Sequence, residues 1–353
     1  MAREKVGVLT FHKCINYGSY WQARCLVEGL RIRGYDAEIL DHDSPAVRHA
    51  EAKCALQPEL PARTRKTDLR KYAAKTRKFI TAIADLPQSR RFPLNAPEMS
   101  RPYDAIIVGS DEVWNFRHPW YGSKPIFFGD GLKAQRFISY AASFGNHSAC
   151  DGIDPAWAGK LHRFDSISVR DSNSWHLVKG GTGREAAVVL DPVLQFPEVT
   201  RAKPPGWDSR YALIYGHGFP EWLRRAARTW SERRGIALLS IGYANDWADQ
   251  QRIDLSPLEF PAIVAGARAV ITNFFHGCVF ALLHGKPWVA APSDYRAIKI
   301  PDLAAALGAE HRIIDEGTRG VSDLLDTPIL PTVASRLDEY RQSSKAYLDA
   351  ALA

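Results

Sequence analysis

The sequence predicts an α/β protein made of two domains of parallel strands. Three observations support this class. Strands and helices alternate along the chain, a proline-rich stretch at 192–210 separates two such series, and 353 residues exceed one ordinary hydrophobic core. Because ligands bind outside the carboxyl ends of parallel strands, we expect both series to face a central cleft between the domains.

The first domain is predicted to span residues 1–198. Its strands are expected at 5–11, 37–41, 103–109, 135–143, 166–170 and 186–191, with a helix at about 20–33. The loop at 12–18 joins the first strand to this helix without a GxGxxG motif, so a dinucleotide fingerprint is not supported. Asn16 and Gly18 suit a tight turn where backbone approaches a ligand, and a purely structural turn is the alternative.

Residues 45–100 differ in amino-acid composition from the rest of this domain, because they are rich in Lys and Arg and poor in apolar residues. We predict a helical insertion lying on the surface of the first domain. A solvated basic face is the simplest interpretation, and a docking surface for anionic lipid carriers is the alternative. Aromatic residues do not interleave regularly with the basic ones, which argues against binding of single-stranded nucleic acid.

The second domain is predicted to span residues 208–330. Its strands are expected at 211–216, 236–241, 268–273 and 288–291, and its helices at 221–234, 257–265 and 275–284. Gly285 and Pro287 end the last of these helices. The remaining segment, 331–353, reads as a C-terminal helix.

The turn between strand 268–273 and helix 275–284 is the strongest candidate site. It carries Asn273, His276 and Gly277, and His276 falls in the first turn of the helix. Helix N-termini offer backbone N–H groups and positive potential, which suit phosphate or carboxylate. A histidine that caps the turn or fills the core is the alternative. Cys278 lies on another side of the helix from His276, so we predict a small buried thiol and no Cys–His pair.

Polar residues also follow strands of the first domain. Ser110 and Asp111 come after strand 103–109, and Arg170 ends strand 166–170, with Asp171 expected to cap the next helix. The planar guanidinium of Arg170 suits phosphate or carboxylate, and an ion pair with a nearby acid is the alternative. Asp111 suits sugar hydroxyls, and a residue that stabilises its own loop is the alternative.

The amino-acid composition limits the classes of protein to which this chain can belong. The apolar fraction is 46%, charged residues make up 24%, and the formal net charge of +7 favours anionic partners. The five cysteines are scattered and contain no CxxC pair, so we expect reduced thiols, no metal and a cytoplasmic location. No apolar run is long enough for a membrane span, and the N-terminus lacks the form of a signal peptide. Peripheral association with the inner membrane surface stays open.

Five segments, in order, resemble the polysaccharide pyruvyl transferase family. They are INYGSYWQ at 15–22, VGSDEVWN at 108–115, ISYAASFG at 138–145, SVRD at 168–171 with LDPVL at 190–194, and ITNFFHGCVFALLHGKPWV at 271–289. The last segment is the most specific, and residues 45–100 carry none of the likeness. The resemblance implies two Rossmann-like domains arranged as in GT-B enzymes.

The resemblance also implies a reaction. The donor is phosphoenolpyruvate, the acceptor is a sugar of a polysaccharide or glycan precursor, and a pyruvate ketal forms as phosphate leaves. It implies that Arg170 and His276 serve the donor, with no cofactor beyond this co-substrate. A histidine near neutral pKa can act as general acid, and we predict Asp111 as base or sugar ligand.

Further contacts are expected at the same strand ends. Donor-binding residues are predicted as Arg170, His276, Gly277 and Asn273, and acceptor or cleft-lining residues as Asn16, Tyr17, Gly18, Ser110, Trp114 and His217. The acceptor is lipid-linked, free or a small molecule, and the sequence does not decide among these. One rival function is a GT-B glycosyltransferase that uses a nucleotide sugar, and another is a non-catalytic anion-binding or nucleic-acid-binding protein.

Overall fold

The computed structural model describes residues 3–97, 102–201, 210–293 and 298–353. The chain divides into two units. The first contains Met1–Ala50, Asp85–Val199 and Asp338–Ala353, and the second contains Glu51–Ala84 and Thr200–Leu337. The cleft expected between the two domains stays a prediction.

The first unit is built on a four-stranded parallel sheet with the order β2-β1-β5-β6. Its strands are β1 (Lys5–Leu9), β2 (Asp36–Ile39), β3 (His42–Asp43), β4 (Phe92–Pro93), β5 (Tyr103–Val108), β6 (Ala134–Ser139), β7 (Ser168–Val169) and β8 (Ala187–Val188). β3 pairs with β4, and β7 pairs with β8. Val6, Val8, Ile106 and Ile107 are fully buried, as expected for a parallel sheet covered on both faces.

The helices up to residue 195 begin with α1 (Tyr17–Ile32). They continue with α2 (Pro45–Leu56), α3 (Lys66–Ala84), α4 (Pro155–Leu161), α5 (Ser172–Thr182) and α6 (Pro192–Gln195). Of these, α3 and the second half of α2 belong to the second unit. The first predicted βαβ unit, β1–α1–β2, is confirmed by the parallel pairing of β1 with β2.

The second unit holds a five-stranded parallel sheet with the order β11-β10-β9-β12-β13. Its strands are β9 (Tyr211–Tyr215), β10 (Ala237–Ile241), β11 (Gln250–Arg252), β12 (Val270–Thr272) and β13 (Trp288–Ala290). The predicted α/β class, with two Rossmann-like domains, is therefore confirmed by two separate parallel sheets. Within the described part of the chain, no helix is both long and apolar enough to cross a bilayer.

The later helices are α7 (Glu221–Arg234), α8 (Phe260–Gly266), α9 (Phe275–Leu283), α10 (Lys299–Leu307), α11 (Val321–Asp326) and α12 (Pro331–Leu352). The prediction for α7 matches at both ends. The predicted C-terminal helix is α12, and the chain from Asp338 to Ala353, which includes most of this helix, belongs to the first unit. The hydroxyl of Ser344 accepts a hydrogen bond of 2.9 Å from the backbone N–H of Leu190, which ties α12 into that unit.

The basic segment departs from the prediction. It is helical, but residues 51–84 belong to the second unit, not to the surface of the first. The reason is an apolar stripe on α3, because Tyr72, Phe79 and Ile83 are buried. Lys75 lies on the same side and is only 1% exposed. Because lysines and arginines occupy the other sides of α3, the overall composition of the segment does not show this apolar stripe.

The proline-rich stretch also departs from the prediction of a linker. Its first residues form α6, in which Val193 and Leu194 are fully buried. Asp191 caps this helix through a 3.0 Å bond from the N–H of Val193, and Pro192 opens it, so the prolines begin a helix here. The boundary between the units falls at Val199 and Thr200. Residues 202–209 of the predicted linker lie outside the described residues.

Candidate functional site

The turn between β12 and α9 is fixed by Thr272. Its hydroxyl donates a 2.6 Å hydrogen bond to the carbonyl of Tyr215 and accepts one of 3.0 Å from the N–H of Phe274. A Cβ on Gly277 would lie 2.1 Å from this hydroxyl oxygen. Only glycine therefore allows α9 to start so close to β12. The glycine beside His276 is explained by packing of the helix against the strand.

His276 lies in the first turn of α9, which begins at Phe275. His276 is 8% exposed. The N-terminal end of a helix carries positive potential, so an imidazole here stands where a phosphate or carboxylate is stabilised. The structure thus places His276 where the sequence predicted, at the carboxyl end of a parallel strand.

Asn273 joins the β12–α9 turn to the turn after β9. Its Nδ2 donates a 2.7 Å hydrogen bond to the backbone carbonyl of His217. Gly216 has a φ of +146°, and a Cβ there would lie 2.0 Å from Oδ1 of Asn273. The imidazole of His217 contacts the ring of Phe274, with centroids 5.5 Å apart. Asn273 and His217 therefore meet at the same edge of the second sheet as His276.

Cys278 follows His276 by two residues and is fully buried. Its thiol contacts the carbonyl of Phe274 at 3.7 Å. Burial raises the pKa of this thiol far above its ordinary value. The prediction of a small buried thiol is confirmed. A neutral thiol is a poor nucleophile.

Asp111 is the carboxylate that the first unit presents after β5. Its Oδ2 accepts a 2.8 Å hydrogen bond from the hydroxyl of Ser19, and its Oδ1 accepts one of 2.9 Å from the N–H of Glu112. Its φ of +73° is rare for a residue with a side chain. The loop therefore holds this carboxylate in one orientation, at the carboxyl edge of the first sheet.

Arg170 is held between two acids. Its side chain is 2% exposed, with Nη1 at 3.1 Å from Asp191 Oδ2 and Nη2 at 3.7 Å from Asp111 Oδ1. Burial alone would lower the pKa of Arg170, but the carboxylates around it, those of Asp111 and Asp191 first, raise it overall. The geometry matches the alternative interpretation, an ion pair with nearby acids, and the pair is buried instead of lying on the surface. Arg170 thus lies between Asp191 and Asp111, closer to Asp191.

Asp171 caps α5 as predicted, because its Oδ1 accepts a 2.7 Å bond from the N–H of Ser174. Its Oδ2 accepts a second bond of 2.6 Å from the hydroxyl of Ser143. Burial raises the pKa of Asp171, and the bonds from Ser143 and Ser174 oppose this effect. Asp171 thus fixes the start of the helix that follows Arg170.

Asn16, in the loop before α1, caps the N-terminus of that helix. Oδ1 of Asn16 accepts hydrogen bonds from the N–H groups of Gly18, at 2.8 Å, and Ser19, at 3.3 Å. This cap positions Ser19, whose hydroxyl in turn binds Asp111. Asn16 and Gly18 therefore support the carboxylate through Ser19. Any direct contact of theirs with an acceptor stays a prediction.

Three predicted cleft-lining residues are buried, and their contact with an acceptor stays a prediction. Trp114 is 1% exposed and donates a 2.9 Å hydrogen bond to the carbonyl of Phe127. Ser110 is fully buried and donates one of 2.7 Å to Gln22. Tyr17 is buried at the start of α1. Each of these side chains lies on the buried side of its segment. Their position in the sequence alone does not show which side is buried.

A buried cluster after β1 escaped the sequence analysis. Nε2 of His12 lies 3.1 Å from Oδ1 of Asp41, and Lys13 also pairs with Asp41. Burial alone would raise the pKa of Asp41, but its hydrogen bonds with His12 and Lys13 lower it strongly. Burial lowers the pKa of His12. The sequence does contain a signal for this cluster. His12 and Lys13 follow the first strand, and Asp41 follows the strand that pairs with it.

Parallel α/β units with acid–base side chains at the carboxyl ends of their strands are typical of enzymes that act on small polar substrates. The profile of the polysaccharide pyruvyl transferase family matches residues 16–295 of this chain. The chain belongs to this family, which indicates a transferase that acts on polysaccharide. The resemblance read from the five sequence segments is confirmed.

No curated protein matches the chain significantly. Solved structures similar to it include S. aureus MnaA with UDP, at 12% identity and a TM-score of 0.49, covering 97% of this chain and 91% of that one. The UDP-GlcNAc 2-epimerase from Methanocaldococcus jannaschii has 10% identity and a TM-score of 0.48, covering 92% and 90%. The glycosyltransferase SnogD from Streptomyces nogalater has 13% identity and a TM-score of 0.42, covering 99% and 98%.

Proposed function

We propose that the protein transfers pyruvate from phosphoenolpyruvate to a sugar of a polysaccharide or glycan precursor. Two hydroxyls of the sugar become bridged by a pyruvate ketal, and phosphate is released. The observation that carries the proposal is His276 in the first turn of α9, in a chain that the family profile matches from residue 16 to residue 295. A helix N-terminus with an imidazole suits a donor that carries both a phosphate and a carboxylate.

The proton balance of this reaction defines the groups it needs. The two acceptor hydroxyls give up one proton each as their oxygens bond to the central carbon of the donor. One proton goes to the methylene carbon, which becomes a methyl group, and the other leaves with the phosphate as its bond to the central carbon breaks. The reaction therefore needs a general acid and a group that accepts protons from the hydroxyls.

We assign the acid role to His276, which also contacts the phosphate, because an imidazole exchanges protons near neutral pH. Gly277 and Asn273 belong to the same donor-binding turn. Asp111 is assigned to the acceptor hydroxyls, as a base or as a ligand. Arg170 is assigned to positioning Asp111, because it lies between Asp191 and Asp111. Direct contact of Arg170 with the donor, expected from the resemblance, stays part of the proposal.

The proposal extends to partners and location. Phosphoenolpyruvate is the co-substrate, with no further cofactor, and the acceptor is a free or lipid-linked glycan, not a nucleic acid. A cytoplasmic location agrees with the five free cysteines. The net charge of +7 is compatible with peripheral association at an anionic inner membrane surface.

Chemical denaturation with added ligands tests the donor without knowledge of the acceptor. A ligand at one hundred times its Kd raises the free energy of unfolding by about 2.7 kcal/mol. We expect phosphoenolpyruvate to stabilise the wild type and His311→Gln, an exposed histidine of the second unit, and to lose most of this effect in His276→Gln. Stabilisation by UDP-glucose without any effect of phosphoenolpyruvate would contradict the proposal and favour a nucleotide-sugar glycosyltransferase.

A further inference from the structure

The second unit contains a pocket of about 500 Å³ beside the carboxyl ends of β9 and β10. One wall comes from the basic segment, with Arg63, Arg65 and Tyr72, and the other comes from the sheet side, with Gly218, Arg224 and Trp247. The volume falls in the range of about 300–1,000 Å³ that small-molecule sites occupy. Residues 45–100 contain none of the five segments that carry the resemblance, and they lie within the range 16–295 that the family profile matches.

The two walls are bonded to each other. The hydroxyl of Tyr72 accepts a 2.9 Å hydrogen bond from the N–H of Ala244. The guanidinium of Arg65 makes two parallel bonds to the carboxylate of Asp246, at 2.6 and 2.8 Å. Deeper in the unit, Nζ of Lys75 donates a 2.8 Å bond to the carbonyl of Gly242. The pocket is therefore formed before any ligand arrives, which reduces the entropic cost of binding.

Hydrogen bonds connect the pocket to the turn that carries His276. Asn245, which lines the pocket, donates a 2.9 Å bond from Nδ2 to the carbonyl of Gly216. The next carbonyl, that of His217, accepts the bond from Asn273. The pocket and the donor-binding turn thus share one edge of one sheet. A ligand in the pocket would lie beside the turn proposed to bind the donor.

The charges that line the pocket cancel. Three arginines, at 63, 65 and 224, are matched by three acids, at 59, 68 and 246. Arg65 is engaged by both Asp68 and Asp246, with bonds of 2.6–2.9 Å. A phosphate or nucleotide would meet the three carboxylates as well as the guanidinium groups, so the pocket offers little net attraction for an anion.

The chemistry of this lining suits a neutral ligand with many hydroxyls. A hydroxyl group donates to a carboxylate and accepts from a guanidinium, so adjacent hydroxyls of a sugar ring can use both kinds of side chain at once. The half-buried Trp247 adds an aromatic surface for the apolar face of the ring. We propose that this pocket binds a neutral sugar unit of the acceptor glycan, an inference that rests on the proposed transferase function.

Saturation-transfer NMR tests the pocket without donor or turnover. The probes are the methyl glycosides of glucose, galactose, mannose and N-acetylglucosamine, titrated onto the full-length protein. We expect at least one probe to bind the wild type. Its Kd should rise roughly tenfold or more in Arg224→Ala and in Asp246→Asn, because each change removes a charged hydrogen-bonding partner.

Two controls match these variants in the second unit. Arg225→Ala changes the neighbouring arginine on α7, and Asp254→Asn changes an exposed acid that pairs with Lys78, and neither residue lines the pocket. Both should bind the probe as the wild type does. Failure of all four probes to bind, equal binding by all variants, or tighter binding of UDP that the same two variants lose would overturn the proposal.

The donor experiment gives an independent readout. Stabilisation by phosphoenolpyruvate with no sugar binding would leave the proposed function in place and remove the sugar pocket. Sugar binding without stabilisation by phosphoenolpyruvate would keep the pocket and remove the donor. The two inferences can therefore fail separately.

Discussion

Nδ2 of Asn273 donates a 2.7 Å hydrogen bond to the carbonyl of His217, and this bond joins the turn after β9 to the turn before α9. Asn273 is 4% exposed, so the bond lies away from water. It fixes the backbone three residues before His276. His276, which we propose as the general acid, thus follows a turn that is held by the side chain of Asn273.

Removing this bond should affect both stability and turnover. In Asn273→Ala the carbonyl of His217 loses a buried donor, which we expect to cost about 1–3 kcal/mol in the free energy of unfolding. The turn then holds His276 less firmly, so kcat for phosphate release should fall more than KM changes. Urea denaturation and steady-state kinetics check this. Wild-type kcat in a variant that is destabilised as expected would show that the bond serves stability alone.

Gly277 should not tolerate a methyl group. Its Cβ would lie 2.1 Å from Oγ1 of Thr272, whose bond to Tyr215 holds the turn, so we expect Gly277→Ala to cost about 1–3 kcal/mol. Gly159, in α4, has open space where its Cβ would be, and Gly159→Ala should stabilise by about 0.4–1 kcal/mol. Denaturation midpoints of the two variants measure this. Equal effects would contradict the packing argument for the glycine beside His276.

Arg170 should be required for stability as well as for the site. Arg170→Met leaves Asp191 without the buried cation that faces it, and breaking a buried ion pair costs about 3–5 kcal/mol. In Arg117→Met the lost pair with Asp151 lies at the surface, where such pairs contribute about 0–1 kcal/mol. Comparison of the two free energies of unfolding is the measurement. A loss below about 1 kcal/mol for Arg170→Met would show that the interior does not depend on this pair.

Lys75 should make stability depend on pH. Burial lowers the pKa of Lys75 to about 7 in the folded protein, against about 10.4 in an unfolded chain. Between these values the unfolded chain binds a proton that the folded chain releases, so stability rises with pH, by up to about 1.4 kcal/mol per pH unit. Below pH 7 both states are charged and the full cost of burial remains.

The matching variant is Lys75→Met, which keeps an unbranched side chain without a titrating group. The difference between the free energies of unfolding of wild type and variant, measured from pH 6 to pH 10, isolates the contribution of this lysine. We expect the variant to gain most at low pH and its advantage to shrink above pH 7. A difference that stays constant over this range would mean that Lys75 is charged in the folded protein throughout.

The local signals in the sequence identified the strands, the helices and the β12–α9 turn well. A β-branched run at 268–273, apolar residues at helical spacing after it, and Gly285 with Pro287 at its end all act over a few residues. The structure follows them with β12, α9 and β13. Asp171 as a cap and Cys278 as a buried thiol follow from the same kind of short-range reasoning.

The failures of prediction concern contacts between distant parts of the chain. The sequence offered several acids to Arg170, and the one that binds it most closely, Asp191, lies 21 residues further on. Residues 51–84 join the second unit through Lys75 and Tyr72, whose partners lie 167 and 172 residues away. The sequence is consistent with Trp114 facing either a ligand or the core. In the structure it packs in the core. Periodicity reports which side of an element is buried, but not what covers it.

The proposed transfer of pyruvate from phosphoenolpyruvate is tested most directly by one labelling experiment. Phosphoenolpyruvate carrying carbon-13 at its methylene position is incubated with the protein and with glycan from a host strain that lacks it. We expect equal amounts of released phosphate and of labelled pyruvate bound to glycan as a ketal, from wild type and His311→Gln, and little of either from His276→Gln. Undiminished transfer by His276→Gln, or no labelled ketal with the wild type, would contradict the account.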